Sequence, residues 1–218
     1  MELAKKTYIE AYKKFGKSNA SILIPKGRQE ERFKLLTQFF KKENFSVLDF
    51  GCGFGDLRSF LQKNHSNFEY LGVDIIKEFI EENKKISKNE FLLIKEVTDI
   101  PKKKFDYICI SGTFNVLYYD SLEKHEAKVY EILKYLFENH LNDDGILSVD
   151  FMHDEVDYIQ EKAYHINIPK MYNFIVDNLS KRLVINKHIF CYEVTFNIFK
   201  NTTKNRVNLY SDYKNILK

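Results

Sequence analysis

The stretch Val47-Leu-Asp49-Phe-Gly51-Cys-Gly53-Phe-Gly55-Asp-Leu is the most informative part of this chain. It joins an apolar run to a polar segment through three glycines at alternate positions. Glycine permits a tight turn and lets a ligand approach the backbone closely, because it carries no Cβ atom. A helix starting near Asp56 would add unpaired N–H groups and the positive end of its dipole. The stretch predicts a strand, a ligand-binding turn and a helix; a purely structural turn is the alternative, because turns also need glycine for steric reasons.

The regions that follow this stretch alternate short apolar runs with amphipathic segments, which is typical of a parallel sheet flanked by helices. We predict strands at 46–50, 69–73, 90–94, 105–110 and 145–150, and helices at 56–63, 77–86 and 122–139. Two further runs, 182–186 and 190–199, predict an antiparallel hairpin. Asn142-Asp-Asp-Gly145 predicts a turn before the fifth strand. The predicted fold class is α/β: a doubly wound, mostly parallel, seven-stranded, Rossmann-like sheet with a C-terminal antiparallel hairpin.

The remaining parts of the chain are predicted as additions to this sheet. Residues 1–45 have helical spacing, with Pro25 and Gly27 interrupting any continuous helix. We interpret 1–45 as an N-terminal helical flap, 46–200 as the main domain and 201–218 as a C-terminal tail.

Composition and charge exclude several classes of protein. The 218 residues, 44% hydrophobic and 30% charged, suit one globular domain, and no apolar run approaches the roughly 20 residues that cross a bilayer. The net charge of +3 and the scarcity of arginine disfavour a nucleic-acid partner. Three cysteines without metal-ligand spacing indicate reduced thiols and no metal site. Without an apolar signal segment at the start, we expect a cytoplasmic protein that does not bind membranes.

A carboxylate follows the second predicted strand. Asp74 lies 23 residues after Gly51, where doubly wound folds place the acid that binds ribose hydroxyls. A dinucleotide site competes with this interpretation, but its third glycine has a different spacing.

With Asp49 two residues before the first glycine, the stretch resembles the first motif of class I S-adenosylmethionine-dependent methyltransferases, D-x-G-C-G-x-G. The resemblance extends over about residues 28–200. It implies S-adenosylmethionine as cofactor and S-adenosylhomocysteine as product, with the glycines along the methionine and ribose and Asp74 on the ribose hydroxyls. The cofactor-binding residues that it implies are Arg28, Gln29, Arg32, Asp49, Gly51, Cys52, Gly53, Gly55, Asp74, Ile75, Thr98, Asp99, Ile100, Ser111 and Gly112.

The cofactor-binding roles implied for Asp99 and for the two arginines each have a simpler alternative. The resemblance implies that Asp99 accepts from the adenine amino group, but it also fits an exposed acid in a loop. A narrower similarity to a bacterial branch of the family implies that Arg28 or Arg32 pairs with the methionine carboxylate. Either arginine equally fits a solvated charge cluster on a surface helix.

The acceptor side is predicted from the ends of the fourth and fifth strands. His153 is the expected base, oriented by Asp150, because its unperturbed pKa lies near 6.5; a surface histidine is the alternative. Asn115 is expected to contact the acceptor. The resemblance implies direct in-line methyl transfer. The compact chain favours a small-molecule acceptor, such as a saccharide or a nucleotide-linked intermediate. A protein or RNA methyltransferase and a non-catalytic S-adenosylmethionine-binding module remain alternatives.

Overall fold

The computed structural model describes residues 2–24 and 28–200, so Pro25, Gly27 and the predicted tail 201–218 lie outside the described residues. The helices are α1 (Glu2–Phe15), α2 (Gln29–Thr37), α3 (Asp56–Asn64), α4 (Lys77–Lys84), α5 (Leu122–Asn139) and α6 (Ile168–Asn178). The strands are β1 (Phe45–Phe50), β2 (Phe68–Asp74), β3 (Phe91–Leu93), β4 (Phe105–Ile110), β5 (Leu141–His153), β6 (His165–Ile166), β7 (Leu183–Asn186) and β8 (Glu193–Phe199). A short 3-10 turn covers Val97–Asp99.

The strands form one mixed sheet in the order β3-β2-β1-β4-β5-β8-β7, with β6 beside the end of β5. Among the strands of residues 2–24 and 28–200, only β8 runs antiparallel to its neighbours, β5 and β7. The predicted fold class is therefore confirmed, including the terminal hairpin. The chain builds outward from β1 to β3 and then returns to place β4 on the other side of β1, and ligands bind at such a switch point.

Alternating side chains of the central strands build a core on each face of the sheet. Phe45 and Val47 of β1 pack with residues of α2 and α3 on one face. Leu48 and Phe50 point to the opposite face and pack with residues of α5 and α6. This alternation follows from the two-residue period of a strand, and it produces the three-layer arrangement of an α/β fold.

The local structure differs from the prediction in two places. Residues 142–145 are not a turn before β5 but part of it, because the strand starts at Leu141 and bulges where the pairing moves from Phe105–Leu141 to Tyr107–Ile146. Between residues 150 and 182, where no element was predicted, the chain forms α6, capped by the Asn167 side chain accepting from the Lys170 N–H at 3.1 Å.

No helix among the described residues has both the length and the apolar character that crossing a membrane requires.

Candidate active site

A cavity of about 610 Å³ lies where β1, β2 and β4 end, at the switch point of the sheet. Its volume is within the range of about 300–1,000 Å³ typical of small-ligand pockets. The glycine turn after β1 forms its floor, together with the ends of β2 and β4. Residues Leu3, Ala4, Thr7 and Tyr8 of α1 and residues Ile22, Leu23 and Ile24 form another wall.

The glycine turn has the geometry that its sequence predicts. Gly51 has φ +79°, and a Cβ there would lie 2.2 Å from Oγ1 of Thr113. The N–H groups of Gly51 and Cys52 both donate to the carbonyl of Val73, at 2.8 and 3.0 Å. The turn is therefore folded against β2, and only glycine fits at position 51. Gly51, Cys52 and Gly53 line the cavity, whereas Gly55 packs against Phe91 instead.

Asp74 lies at the end of β2 and lines the cavity. Its Oδ2 accepts from the N–H of Gly53 and its Oδ1 from the N–H of Ile76, each at 2.9 Å. Burial raises the pKa of Asp74 to about 6, against the effect of these backbone hydrogen bonds. Because each carboxylate oxygen has a second lone pair, Asp74 can still accept from two ligand hydroxyls.

Asp49 lines the cavity at the end of β1. Its Oδ2 accepts from the hydroxyl of Tyr70 at 2.6 Å, and burial raises its pKa to about 7. The sequence analysis missed Tyr70, and it also missed Asn83 of α4, whose Nδ2 donates to the carbonyl of Gly53 at 2.8 Å. A polar residue on the buried face that Phe79 and Ile80 define is the signal that could have identified Asn83.

The loop after β3 is positioned differently from the prediction. Asp99 is exposed and absent from the cavity lining of the described residues; its Oδ2 accepts from the N–H groups of Lys95 and Glu96, at 2.8 and 3.1 Å. These backbone hydrogen bonds lower the pKa of Asp99. Asp99 thus shapes the loop that lines the cavity through Lys95, Glu96 and Val97.

The neighbours of Asp99 do not line the cavity either. Thr98 is exposed and Ile100 is buried in the core. Ile75, which the resemblance names as a cofactor-binding residue, lines the cavity directly after Asp74.

The loop after β4 is held from two sides. Asp150 accepts from the Ser111 hydroxyl at 2.8 Å and from the Gly112 N–H at 2.6 Å, and burial raises its pKa to about 6. Ser111 and Gly112 line the cavity, but Asp150 does not belong to the lining that the described residues form. Asp150 therefore supports the loop from behind.

His125 of α5, which the sequence analysis missed, holds the other end of this loop. Its Nδ1 accepts from the Tyr118 N–H at 2.9 Å, so its Nε2 carries the proton and donates to the Phe114 carbonyl at 3.0 Å. Burial lowers the pKa of His125 to about 4, which keeps the ring neutral.

Of the three predicted catalytic residues, the structure brings Asn115 alone to the described cavity wall. The Oδ1 of Asn115 accepts from the Met152 N–H at 3.2 Å. His153 is fully buried at the end of β5, and its Nδ1 accepts from the Glu155 N–H at 3.2 Å. Burial also lowers the pKa of His153. Its imidazole thus has no opening to the cavity, which does not support the predicted role as a base.

The N-terminal residues of α2 reach the cavity beside β8. Gln29 and Arg32 line it, but Arg32 donates from Nε to Glu193 Oε2 at 2.7 Å and from Nη2 to Oε1. Arg28 is exposed, and its Nη1 donates to the Tyr192 hydroxyl at 3.4 Å. Arg32 is therefore neutralised by a protein carboxylate rather than left for a ligand.

Metal binding has no visible basis in the segments 2–24 and 28–200, which contain no cluster of three or more His, Cys, Asp or Glu side chains suited to an ion.

The glycine turn and the spare lone pairs of Asp74 fit a nucleoside ligand with vicinal hydroxyls.

The comparisons with known proteins agree with this geometry. Residues 48–147 match a family model described as a methyltransferase domain, and this segment runs from β1 through the glycine turn, Asp74 and β4 into β5. No curated protein matches the sequence.

Solved structures share the fold at low sequence identity. The PH0226 protein from Pyrococcus horikoshii OT3 is 18% identical, with 87% of this chain and 98% of that chain covered and a TM-score of 0.59. A SAM-dependent methyltransferase from Aquifex aeolicus is 20% identical, with 81% and 94% covered and a TM-score of 0.56. The magnesium protoporphyrin IX methyltransferase ChlM from Synechocystis PCC 6803, solved with bound SAH, is 15% identical, with 88% and 92% covered and a TM-score of 0.57.

The domain match, the strand order and the cavity at the switch point confirm what the glycine stretch predicted. Residues 48–147 carry a methyltransferase domain, and the fold around it is shared with S-adenosylmethionine-dependent methyltransferases of known structure.

Proposed function

We propose that this chain transfers the methyl group of S-adenosylmethionine to a small-molecule acceptor. The observation that carries the proposal is the extent of the cavity, which continues from the glycine turn to Asn115, Met152 and Lys162. The same cavity also has a wall from α1 and residues Ile22–Ile24. An acceptor would therefore enter a pocket that is walled on several sides, which suits a small molecule better than a folded protein or an RNA helix.

The cofactor half of the cavity is assigned to the residues around the glycine turn. Gly51, Cys52 and Gly53 would present backbone to the methionine and ribose, and Asp74 would accept from the ribose hydroxyls. Ile75 and Val97 would pack against the adenine ring. The loop of Ser111 and Gly112 would close the methionine end, next to the acceptor.

The chemistry asks little of the protein beyond positioning. When bound, S-adenosylmethionine supplies a methyl group that is already activated by its sulfonium. The chain must hold the acceptor atom about 3 Å from this group and in line with the bond that breaks. Asn115 is suited to orient the acceptor, because its Oδ1 is anchored by the Met152 N–H while Nδ2 has no hydrogen bond within the described residues. A general base is needed only for an acceptor that must lose a proton.

Binding and transfer can be tested separately. Calorimetry with S-adenosylhomocysteine tests the cofactor site, with Gly53→Arg as the matched variant: position 53 lines the cavity, so the longer side chain would fill it. Transfer is then followed with methyl-labelled S-adenosylmethionine and a cell extract separated into small-molecule and macromolecular fractions. We expect label in the small-molecule fraction, and none with Gly53→Arg.

The other outcomes contradict the proposal in distinct ways. Label that remains in the macromolecular fraction until protease or nuclease treatment would indicate a protein or RNA acceptor. Tight binding of S-adenosylhomocysteine without transfer to either fraction would favour a non-catalytic binding module.

A further inference from the structure

Two tyrosine hydroxyls open onto the cavity without a partner in the protein. Tyr8 of α1 and Tyr118 of the loop before α5 both line the cavity, and neither hydroxyl makes a hydrogen bond within residues 2–24 and 28–200. Other tyrosine hydroxyls in the fold behave differently: those of Tyr70, Tyr130 and Tyr164 all donate to carboxylates. A phenol in a largely apolar wall is stabilised by a hydrogen bond. Two phenol hydroxyls that face one cavity without a partner therefore point to a polar ligand group.

Tyr8, Tyr118 and Asp74 line the same cavity. Tyr8 packs on the same core cluster as Tyr118 and as Ile75, the residue that follows Asp74. After burial, the charge of Asp74 contributes to the raised pKa of each phenol, and the Tyr8 phenol adds to the effect on Tyr118. The wall of this cavity therefore contains two phenols and one carboxylate.

Packing holds each of the two rings in place. The Tyr118 ring meets His125 edge-on at 4.8 Å between centroids, and its backbone N–H donates to the same imidazole at 2.9 Å. The Tyr8 ring meets Phe79 edge-on at 6.1 Å. The hydroxyls are thus oriented before a ligand binds, which reduces the entropy lost on binding.

The three groups are chemically complementary to a pair of neighbouring hydroxyls. An ionised carboxylate only accepts hydrogen bonds, so it satisfies the hydroxyl protons of a diol and leaves the diol oxygens without a donor. A phenol can supply that donor. We propose that Tyr8 and Tyr118 donate hydrogen bonds to the ribose oxygens of the bound nucleoside while Asp74 accepts from the same ribose.

This inference rests on the cofactor assignment and goes beyond it, because it gives a polar role in ligand binding to α1, a helix outside the matched domain. It also places Tyr118, which follows β4, on the cofactor side of the cavity. The substitutions Tyr8→Phe and Tyr118→Phe remove one oxygen each and keep the ring. Tyr12→Phe is the control, because Tyr12 lies on the same helix but its hydroxyl donates to Glu82 at 3.3 Å, away from the cavity lining.

The experiment measures affinity by calorimetry with S-adenosylhomocysteine, adenosine and dideoxyadenosine, which lacks both ribose hydroxyls. We expect S-adenosylhomocysteine to bind about three- to tenfold more weakly to Tyr8→Phe and to Tyr118→Phe, the effect of one neutral hydrogen bond. Tyr12→Phe should bind like the wild type. The loss of affinity in the Tyr8→Phe and Tyr118→Phe variants should appear with adenosine and vanish with dideoxyadenosine. Comparing both ligands in the wild type and in each variant thus isolates the contact with the ribose.

Results that contradict the cofactor assignment differ from results that contradict the role of the two tyrosines. A wild-type chain that does not bind S-adenosylhomocysteine would overturn the cofactor assignment itself. Normal wild-type binding with unchanged affinity in both phenylalanine variants would overturn only this inference, as would a loss of affinity that is equal for both nucleosides. A wild type that does not distinguish the two nucleosides would overturn this inference and the ribose contact of Asp74 as well.

Discussion

Arg32 of α2 and Glu193 of β8 form a buried ion pair through two hydrogen bonds at the edge of the cavity. Both side chains are almost completely buried, with exposed fractions of 6% and 4%. The pair connects positions 161 residues apart and holds the start of α2, including Gln29, against the sheet.

Removing one partner of this pair should be costly. We expect Arg32→Met to lower the free energy of unfolding by about 3–5 kcal/mol, because it leaves the Glu193 charge buried and unpaired. The double variant Arg32→Met with Glu193→Leu should lose less than the single one. Urea unfolding measures both, with Lys34→Met in the exposed Lys34–Glu31 pair as a control expected to change stability by less than about 1 kcal/mol. A double variant at least as unstable as Arg32→Met alone would contradict this account.

Alanine substitutions can be compared at two glycines with a positive φ, one inside the glycine turn and one outside it. Gly51→Ala should weaken S-adenosylhomocysteine binding by at least about tenfold, because the new Cβ would lie 2.2 Å from Oγ1 of Thr113 and the turn must shift. Gly16 also has a positive φ, of +61°, but nothing lies within 4 Å of the position of its Cβ. Gly16→Ala should therefore cost only the conformational strain of about 1–2 kcal/mol in stability and leave binding unchanged. Equal binding by the two variants would argue against a steric role for position 51.

His125 should make stability depend on pH. Its pKa is about 4 in the folded chain and about 6.5 when unfolded, so between these values the unfolded chain binds the extra proton. The stabilisation from neutral His125 is complete above pH 6.5 and is lost as the pH falls towards 4, by at most about 1.4 kcal/mol per pH unit.

The stability of the wild type is compared with that of variants at each pH, so that the contribution from titration of the buried aspartates cancels in the difference. His125→Asn should be less stable than the wild type by about 2–4 kcal/mol at pH 8, because it removes two buried hydrogen bonds. This gap should narrow as the pH approaches 4. His188→Asn, at an exposed position, is the control. A gap that stays constant from pH 8 to 4 would show that His125 does not titrate as its burial requires.

Asp74 should make cofactor binding depend on pH. Burial raises its pKa to about 6, and only the ionised carboxylate accepts from both ribose hydroxyls. We expect affinity for S-adenosylhomocysteine to decrease as the pH falls through about 6. Asp74→Asn should bind about ten- to a hundredfold more weakly at pH 8 and with little change between pH 8 and 5. Asp49, whose pKa is about 7, is the other carboxylate in the wall, so Asp49→Asn must keep the change near pH 6 if Asp74 causes it.

Local patterns were sufficient for much of the architecture. The apolar run of β1 and the glycine turn after it are set by neighbouring residues, so both could be predicted directly. Asp74 was found for the same reason, because it ends an apolar run at a fixed distance from the turn. The helix α6 also had local signals that were overlooked, namely Asn167 as cap and Pro169 in the first turn.

Contacts between distant residues were beyond the sequence. The pairing of Arg32 with Glu193, the bridge that His125 makes to the loop of Tyr118, and the position of Tyr8 on the cavity wall all depend on how separate elements pack. Their charge states depend on burial in the same way, because the loss of water changes the free energy of a charged group. The order of the elements and the glycine turn follow from short-range patterns, so they are predictable from the sequence. Which side chains reach the cavity, and which support it from behind, depends on the tertiary structure, because packing and burial bring together residues that are far apart in the chain.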